Sequence, residues 1–235
     1  MKQTVLLKLS GEALSKINGI GVDMVKVKEI ANEIKDLQDT GVSIGIVIGA
    51  GNMWRGRDAE EIGMDRVSAD HMGMLGTVFN SLALSGALDS INVKNRVTCA
   101  FSVGSIAEPY NQKKAREALE NGEIVIFAGG TGRPFFSTDT TAALCAAEIG
   151  ASTILMAKNG TDGVYDSDPR KNPNAKRYAK ICYDEILMNH LQVMDLTAAT
   201  LCQNNNIEII VFDMGKKGNI KEVIKHPEIG TIITK

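Results

Sequence analysis

Gly41-Val42-Ser43-Ile44-Gly45-Ile46-Val47-Ile48-Gly49-Ala50-Gly51 is the stretch on which the fold turns. Residues 42–48 are apolar but for one serine and one glycine, as expected of a strand covered on both faces. Upstream, Asp23 can cap a helix whose inward face is Val27, Ile30, Ala31, Ile34 and Leu37, with Gly41 ending it. Downstream, the strand runs into Gly49-Ala50-Gly51-Asn52, where small residues let backbone approach a ligand closely. Arg55 follows, a side chain that can fork onto a phosphate.

The same unit recurs along the chain. Val- and Ile-rich runs at residues 4–9, 96–101, 123–128, 152–156, 207–212 and 231–234 alternate with helical spacing at 112–120, 139–149, 195–205 and 219–225. Strands alternating with helices predict an open α/β sheet, mainly parallel, with helices on both faces. No repeat, low-complexity tract or linker interrupts the 235 residues, so a single domain, 1–235, is expected. Residues 166–176, with Pro169 and Pro173, are the candidate for a mobile loop and for a boundary between two halves, about 1–150 and about 151–235.

Composition excludes several classes. Lys plus Arg total 26 against 28 Asp plus Glu, a net charge of -2 that leaves no positive field for nucleic-acid binding as a main function. The amino terminus lacks the apolar core and cleavage site of a signal peptide, so a cytoplasmic location is expected. Residues 71–88 carry no Asp, Glu, Lys or Arg, but Thr77, Asn80, Ser81 and Ser85 mark them as a buried or interface helix, not a membrane span. Cys99, Cys145, Cys182 and Cys202 are isolated and read as core thiols. With only His71, His190 and His226 available, a histidine metal centre or triad is poorly supplied.

In open α/β sheets, ligands gather at the carboxyl ends of the strands. The first run ends Lys8-Leu9-Ser10-Gly11, where an ammonium and backbone amides can meet a polyphosphate; a strand-edge lysine with a solvated head is the alternative. The run at 123–128 leads into Gly129-Gly130-Thr131-Gly132-Arg133-Pro134-Phe135-Phe136-Ser137-Thr138-Asp139, glycines and hydroxyls that approach a helix start at Thr138 or Asp139. Residues 159–169 bring an amide, an aromatic ring and carboxylates suited to a base and ribose, or else form a polar turn. No Gly-x-x-x-x-Gly-Lys-Ser/Thr and no helix-opening Gly-x-Gly-x-x-Gly after the first strand is present. Two phosphorylated ligands facing each other is the working hypothesis.

These residues carry a family resemblance. Lys8-Leu9-Ser10-Gly11-Glu12-Ala13-Leu14, the turn from Gly49 to Arg55, Asp70-His71-Met72-Gly73-Met74, the run Thr131 to Asp139, Asp162-Gly163-Val164-Tyr165 with Asp168-Pro169, and Val193-Met194-Asp195-Leu196 resemble the bacterial uridylate (UMP) kinases of the amino acid kinase superfamily. The likeness runs from first strand to last and implies a core sheet of about eight strands. It implies γ-phosphoryl transfer from Mg-ATP to UMP, with magnesium carried by the ATP phosphates and no protein metal site. On the same basis Lys8, Arg55, Asp139 and Asp195 are the catalytic residues, Lys8 and Arg55 clamping the transferring group and the two aspartates organising it. Lys8, Leu9, Ser10, Gly11, Gly51, Arg55, Asn159, Tyr165 and Asp168 would serve ATP. Ala50, Asp70, Thr131, Gly132, Arg133, Pro134, Phe135, Phe136, Ser137 and Thr138 would serve UMP. The half at about 1–150 would then bind the acceptor and the half at about 151–235 the ATP.

Either aspartate could instead be an ordinary helix cap. Position 50 is often Gly in relatives and is Ala here. Residues 16–21 differ from the forms associated with GTP activation, so that control is not expected, whereas feedback by UTP at the acceptor pocket is. The family is hexameric, and Met72, Met74, Val78, Phe79 and Leu82 of the uncharged stretch could lie between subunits, or within one. The rival readings are a superfamily kinase for another acceptor and a non-catalytic anion- or nucleotide-binding protein of the same fold.

Overall fold

The structure is a computed structural model that describes residues 2–16, 19–55, 59, 61–189, 191 and 193–235. Ile17 and Asn18 of the 16–21 segment, and His190, lie outside the described residues. The chain runs β1 (Thr4–Leu9), a 3-10 turn (Gly11–Leu14), α1 (Met24–Gln38), β2 (Ser43–Ile48), α2 (Arg66–Ser90), β3 (Asn95–Cys99), β4 (Glu108–Pro109), α3 (Gln112–Glu120) and β5 (Ile124–Ala128). Next come α4 (Thr138–Ile149), β6 (Thr153–Lys158), β7 (Lys180–Cys182), α5 (Tyr183–Met188), α6 (Leu196–Asn204), β8 (Glu208–Asp213), α7 (Asn219–Lys225) and β9 (Thr231–Thr234).

Among the described residues one nine-stranded sheet forms in the order β4-β3-β5-β2-β1-β6-β8-β9-β7. Every strand pair is parallel except β8 with β9. β4 and β7 had no counterpart in the apolar runs because they are two- and three-residue edge strands, one containing a proline and the other a lysine. The six-residue α5 was likewise unmarked. Asp23 caps α1 by accepting from Val25 N at 2.9 Å, and the inward face read from spacing is the buried one.

Two cores flank the sheet. In β1, Val5, Leu7 and Leu9 join the layer of α1, α2 and α7, whereas Leu6 joins that of α3, α4, α5 and α6. Strand side chains alternate, so Lys8 falls on Leu6's side, toward α4. Gly45 of β2 makes room beneath the sheet: a Cβ there would lie 2.8 Å from Ile149 of α4 and 3.0 Å from Phe127. The neighbours of β1 are β2 on one side and β6 on the other, and the connection β5–α4–β6 crosses beneath. That reversal is the switch point where ligands collect, and α4 brings its amino terminus to it.

Met74 and Val78, which the sequence left open to lie between subunits or within one, are buried within the chain, at 8% and 6% exposure. Met72, Phe79 and Leu82 are exposed, as is Leu75. No helix among the described residues is long and apolar enough to cross a membrane.

Candidate active site

Lys8 is the fifth residue of β1, 9% exposed, and its Nζ lies 2.7 Å from Asp139 Oδ1 in the first turn of α4. The contact is an ion pair; Asp139 Oδ1 receives no hydrogen bond of regular angle. Ser137, not Thr138 or Asp139, caps α4: its Oγ accepts from Asp139 N at 3.0 Å and Thr140 N at 3.1 Å. Asp139 is thereby free of the capping role.

Asp195 does cap, accepting from Ala198 N at 2.8 Å at the start of α6. It also accepts from Thr140 Oγ1 at 3.0 Å and from Ser137 Oγ. One carboxylate therefore ties the amino termini of α4 and α6 together, and both helix dipoles point positive ends at the same place. Among the described contacts Asp195 makes no bond to Lys8.

A further cation belongs here that was not singled out from the sequence. Lys158 ends β6, where Ile154 and Met156 face the α4 layer, and period-2 alternation turns Lys158 the same way. Its Nζ donates to Val193 O at 2.9 Å. Burial, and secondly repulsion from Lys8, hold its pKa below the ordinary lysine value, while Asp139 acts in the opposite sense. The available signal was a lysine at the end of a buried apolar strand, much as Lys8 is the penultimate residue of β1.

The glycine turns lie beside this cluster. A Cβ on Gly11 would collide with Gly49 O and lie 2.6 Å from Asn52 Oδ1, so only glycine lets the turns after β1 and β2 touch backbone to backbone. Asn52 and Asn80, 1% and 0% exposed, exchange amide bonds at 3.1 and 2.7 Å, and Asn80 also donates to Gly49 O at 2.8 Å. This buried, satisfied network fixes the turn. Ser10 precedes the 3-10 turn and makes no side-chain cap bond. Leu9 turns its side chain into the core, and its carbonyl accepts Gly49 N at 3.0 Å. Arg55 is held by Glu12 Oε1, 2.7 Å from Nη2, and by Gly51 O, 3.3 Å from Nε.

Two cavities open at this end of the sheet. The first, about 580 Å³, is lined by Ala50, Gly51, Trp54, Asp70, Phe136, Ser137 and Thr138, among others. Asp70 accepts Arg66 Nε and, at 2.7 Å, the Phe135 amide. Thr131 hydrogen-bonds locally to Arg133. Thr131, Gly132, Arg133, Pro134 and Phe135 are not on the lining. The second cavity, about 570 Å³, is lined by Lys158, Tyr165, Asp168 and Val193, among others. Tyr165 donates to Asp162 at 2.6 Å, which raises its pKa, and hydrogen bonds from Arg170 lower that of Asp168. Asn159 is not on the lining; its Oδ1 faces Gly215. Thr138, next to Asp139, lines one cavity, and Lys158, on which the charges of Lys8 and Asp139 act, lines the other.

Sequence and structure comparisons show the family and the fold. Residues 3–213 match the pattern of the Amino acid kinase family. A uridylate kinase of Aster yellows witches'-broom phytoplasma is 54% identical over 235 residues, covering 100% of this chain and 98% of that one. The crystal structure of UMP kinase from Ureaplasma parvum superposes with a TM-score of 0.96 at 41% identity, covering 100% of both chains. That of UMP kinase from Bacillus anthracis gives 0.96 at 42% identity, over 99% of this chain and 96% of the other. A family pattern matched over residues 3–213, with a relative 54% identical over the whole chain and a fold shared end to end with UMP kinases of known structure, establishes that the chain belongs to the amino acid kinase family.

Proposed function

We infer that the chain is a UMP kinase that transfers the γ-phosphoryl group of ATP to the phosphate of UMP. The observation that carries this reading is the Lys8–Asp139 pair at the start of α4, with one cavity of about 580 Å³ lined by Ser137 and Thr138 and another of about 570 Å³ lined by Lys158, each within the range of ligand sites. The acceptor phosphate is already ionised, so catalysis reduces to alignment and charge stabilisation, and no general base is needed.

The cavity lined by Ala50, Asp70, Phe136, Ser137 and Thr138 is the UMP side, in the half at about 1–150. The cavity with Tyr165 and Asp168 is the ATP side, in the half at about 151–235, with Ser10 and Gly11 at the phosphates; Gly51, read from the resemblance as an ATP contact, lines the acceptor cavity. Lys8 and Lys158 stabilise the transferring group, Asp139 orients Lys8, and Asp195 holds the two helix ends in register. Arg55 would leave part of its contact with Glu12 to meet phosphate; that pair is 39% and 48% exposed, so its loss costs little.

Among the described residues no three His, Cys, Asp or Glu side chains are grouped to hold a metal. This donor set fits magnesium arriving on the ATP phosphates, with Asp139 and Asp195 as the carboxylates that would hold its water shell. The ion would neutralise nucleotide charge. UTP would compete at the acceptor cavity, since it shares base and sugar with UMP.

The test is ADP release from purified protein with Mg-ATP and UMP, beside CMP, dUMP, acetylglutamate and no acceptor. Turnover with UMP alone is expected; binding of nucleotide without turnover for any acceptor would sink the kinase reading.

A hexamer would use α2. Met72, Leu75, Phe79 and Leu82 are 40%, 55%, 52% and 37% exposed and recur at helical spacing along one stripe, the pattern of a face that awaits a second copy. Phe79→Glu is expected to convert the oligomer to smaller species, read by light scattering. An unchanged mass would remove α2 from the interface.

A further inference from the structure

Arg66 begins α2, a 25-residue helix, where a cation opposes the helix dipole. Its place there is therefore not explained by helix stability. Its Nε lies 2.9 Å from Asp70 Oδ1 and 3.0 Å from Oδ2, one N–H shared by both oxygens. An i,i+4 pair on an open helix face contributes little by itself. Here the Asp70 side chain is only 20% exposed, and Oδ2 also takes the amide of Phe135, 65 positions away.

Phe135 has a φ of +73°, a left-handed backbone that an aromatic residue keeps only where the surroundings hold it. The Arg66 guanidinium carbon sits 5.9 Å from the centroid of the same Phe135 ring. One cation thus touches both ends of a tie between α2 and the loop before α4. An ionised carboxylate offers about four lone-pair directions. The shared Arg66 proton takes one direction on each oxygen and the Phe135 amide a second on Oδ2, so one direction on Oδ1 remains for a sugar hydroxyl. A ribose can bind without releasing the loop.

We propose that Arg66 is a positioning residue for the acceptor nucleotide, holding Asp70 so that one carboxylate both receives the sugar and pins the acceptor loop through Phe135; this rests on the reading of Asp70 as the sugar-binding group. Arg66 makes no bond to the reacting atoms and acts through Asp70.

Arg66→Met keeps an apolar stem against the Phe135 ring and removes the charged fork. Its KM for UMP should rise about tenfold while its KM for ATP changes less than about twofold, and its preference for UMP over dUMP should shrink. In the ligand-free protein, amide hydrogen exchange at Phe135 should accelerate about tenfold, with β1 and β2 unaffected. Arg66→Lys, which keeps a cation near Asp70, should fall between the two. Equal rises in both KM values, or faster Phe135 exchange with an unchanged KM for UMP, would leave Arg66 a structural tie and overturn the proposal. So would unchanged exchange at Phe135. Exchange is read without turnover, so a broken tie is distinguished from a failed kinase reading, which shows as no UMP-dependent ADP release by the unsubstituted enzyme and takes the proposal with it.

Discussion

Lys8→Ala will lower kcat by about 10³-fold, the scale seen when a preorganised charge at a transferring or developing anion is removed. KM for ATP and UMP should move far less, because the base and sugar contacts proposed for Asp70, Tyr165 and Asp168 are untouched. The substitution also strands Asp139, whose side chain is 17% exposed and whose Oδ1 has Lys8 as its charge partner. An uncompensated carboxylate this deep costs about 3 kcal/mol, the lower end for breaking a buried pair. Loss of activity alone would therefore be ambiguous. Lys8→Met with Asp139→Asn resolves it: neutralising both partners should restore most of the stability in urea unfolding while turnover stays near background. A double variant that regained activity along with stability would show that Lys8 serves the fold and not the chemistry.

Much of this site was legible because the turns after parallel strands must meet at one sheet edge. Once residues 4–9, 42–48, 123–128 and 152–156 are strands, Ser10, Gly49, Gly129 and Asn159 are neighbours without further information. Asp139 was placed correctly near Lys8, but which residue caps α4 depends on rotamer and loop geometry, and Ser137 took that role. Asp195 illustrates the same limit: it is a helix cap and also bonds Ser137 and Thr140, a junction between elements 55 and 58 residues apart in sequence. The bond between Arg55 and Glu12 was likewise hidden, since it joins two loops. The split of α2 between interior and surface could not be read from its uncharged stretch, residues 71–88: Met74 and Val78 face the chain's own core, while Met72, Leu75 and Phe79 do not. Periodicity fixes which residues share a face but not what lies opposite it.

Lys158→Met should lower kcat about 10²- to 10³-fold and leave stability within about 1 kcal/mol of the parent. Two effects oppose each other in the folded state. The substitution removes a charge that burial and Lys8 disfavour, and it also removes the donor to Val193 O. Losing a hydrogen bond from a charged donor costs about 1.5–3 kcal/mol, and relief of the repelled buried charge offsets it. The sign of the pH dependence follows from the same shift. Lys158 has a lower pKa folded than unfolded, so between the two values the unfolded chain binds more protons and stability rises with pH. Catalysis runs the other way: kcat/KM for ATP needs the ammonium and should fall as pH rises through the lowered pKa, below the 10.5 of an ordinary lysine. Lys158→Arg, charged throughout this range, should be slower overall but lose that alkaline decline. If the decline persists unchanged in Lys158→Arg, the titrating group is elsewhere and Lys158 has no part in stabilising the transferred phosphoryl group.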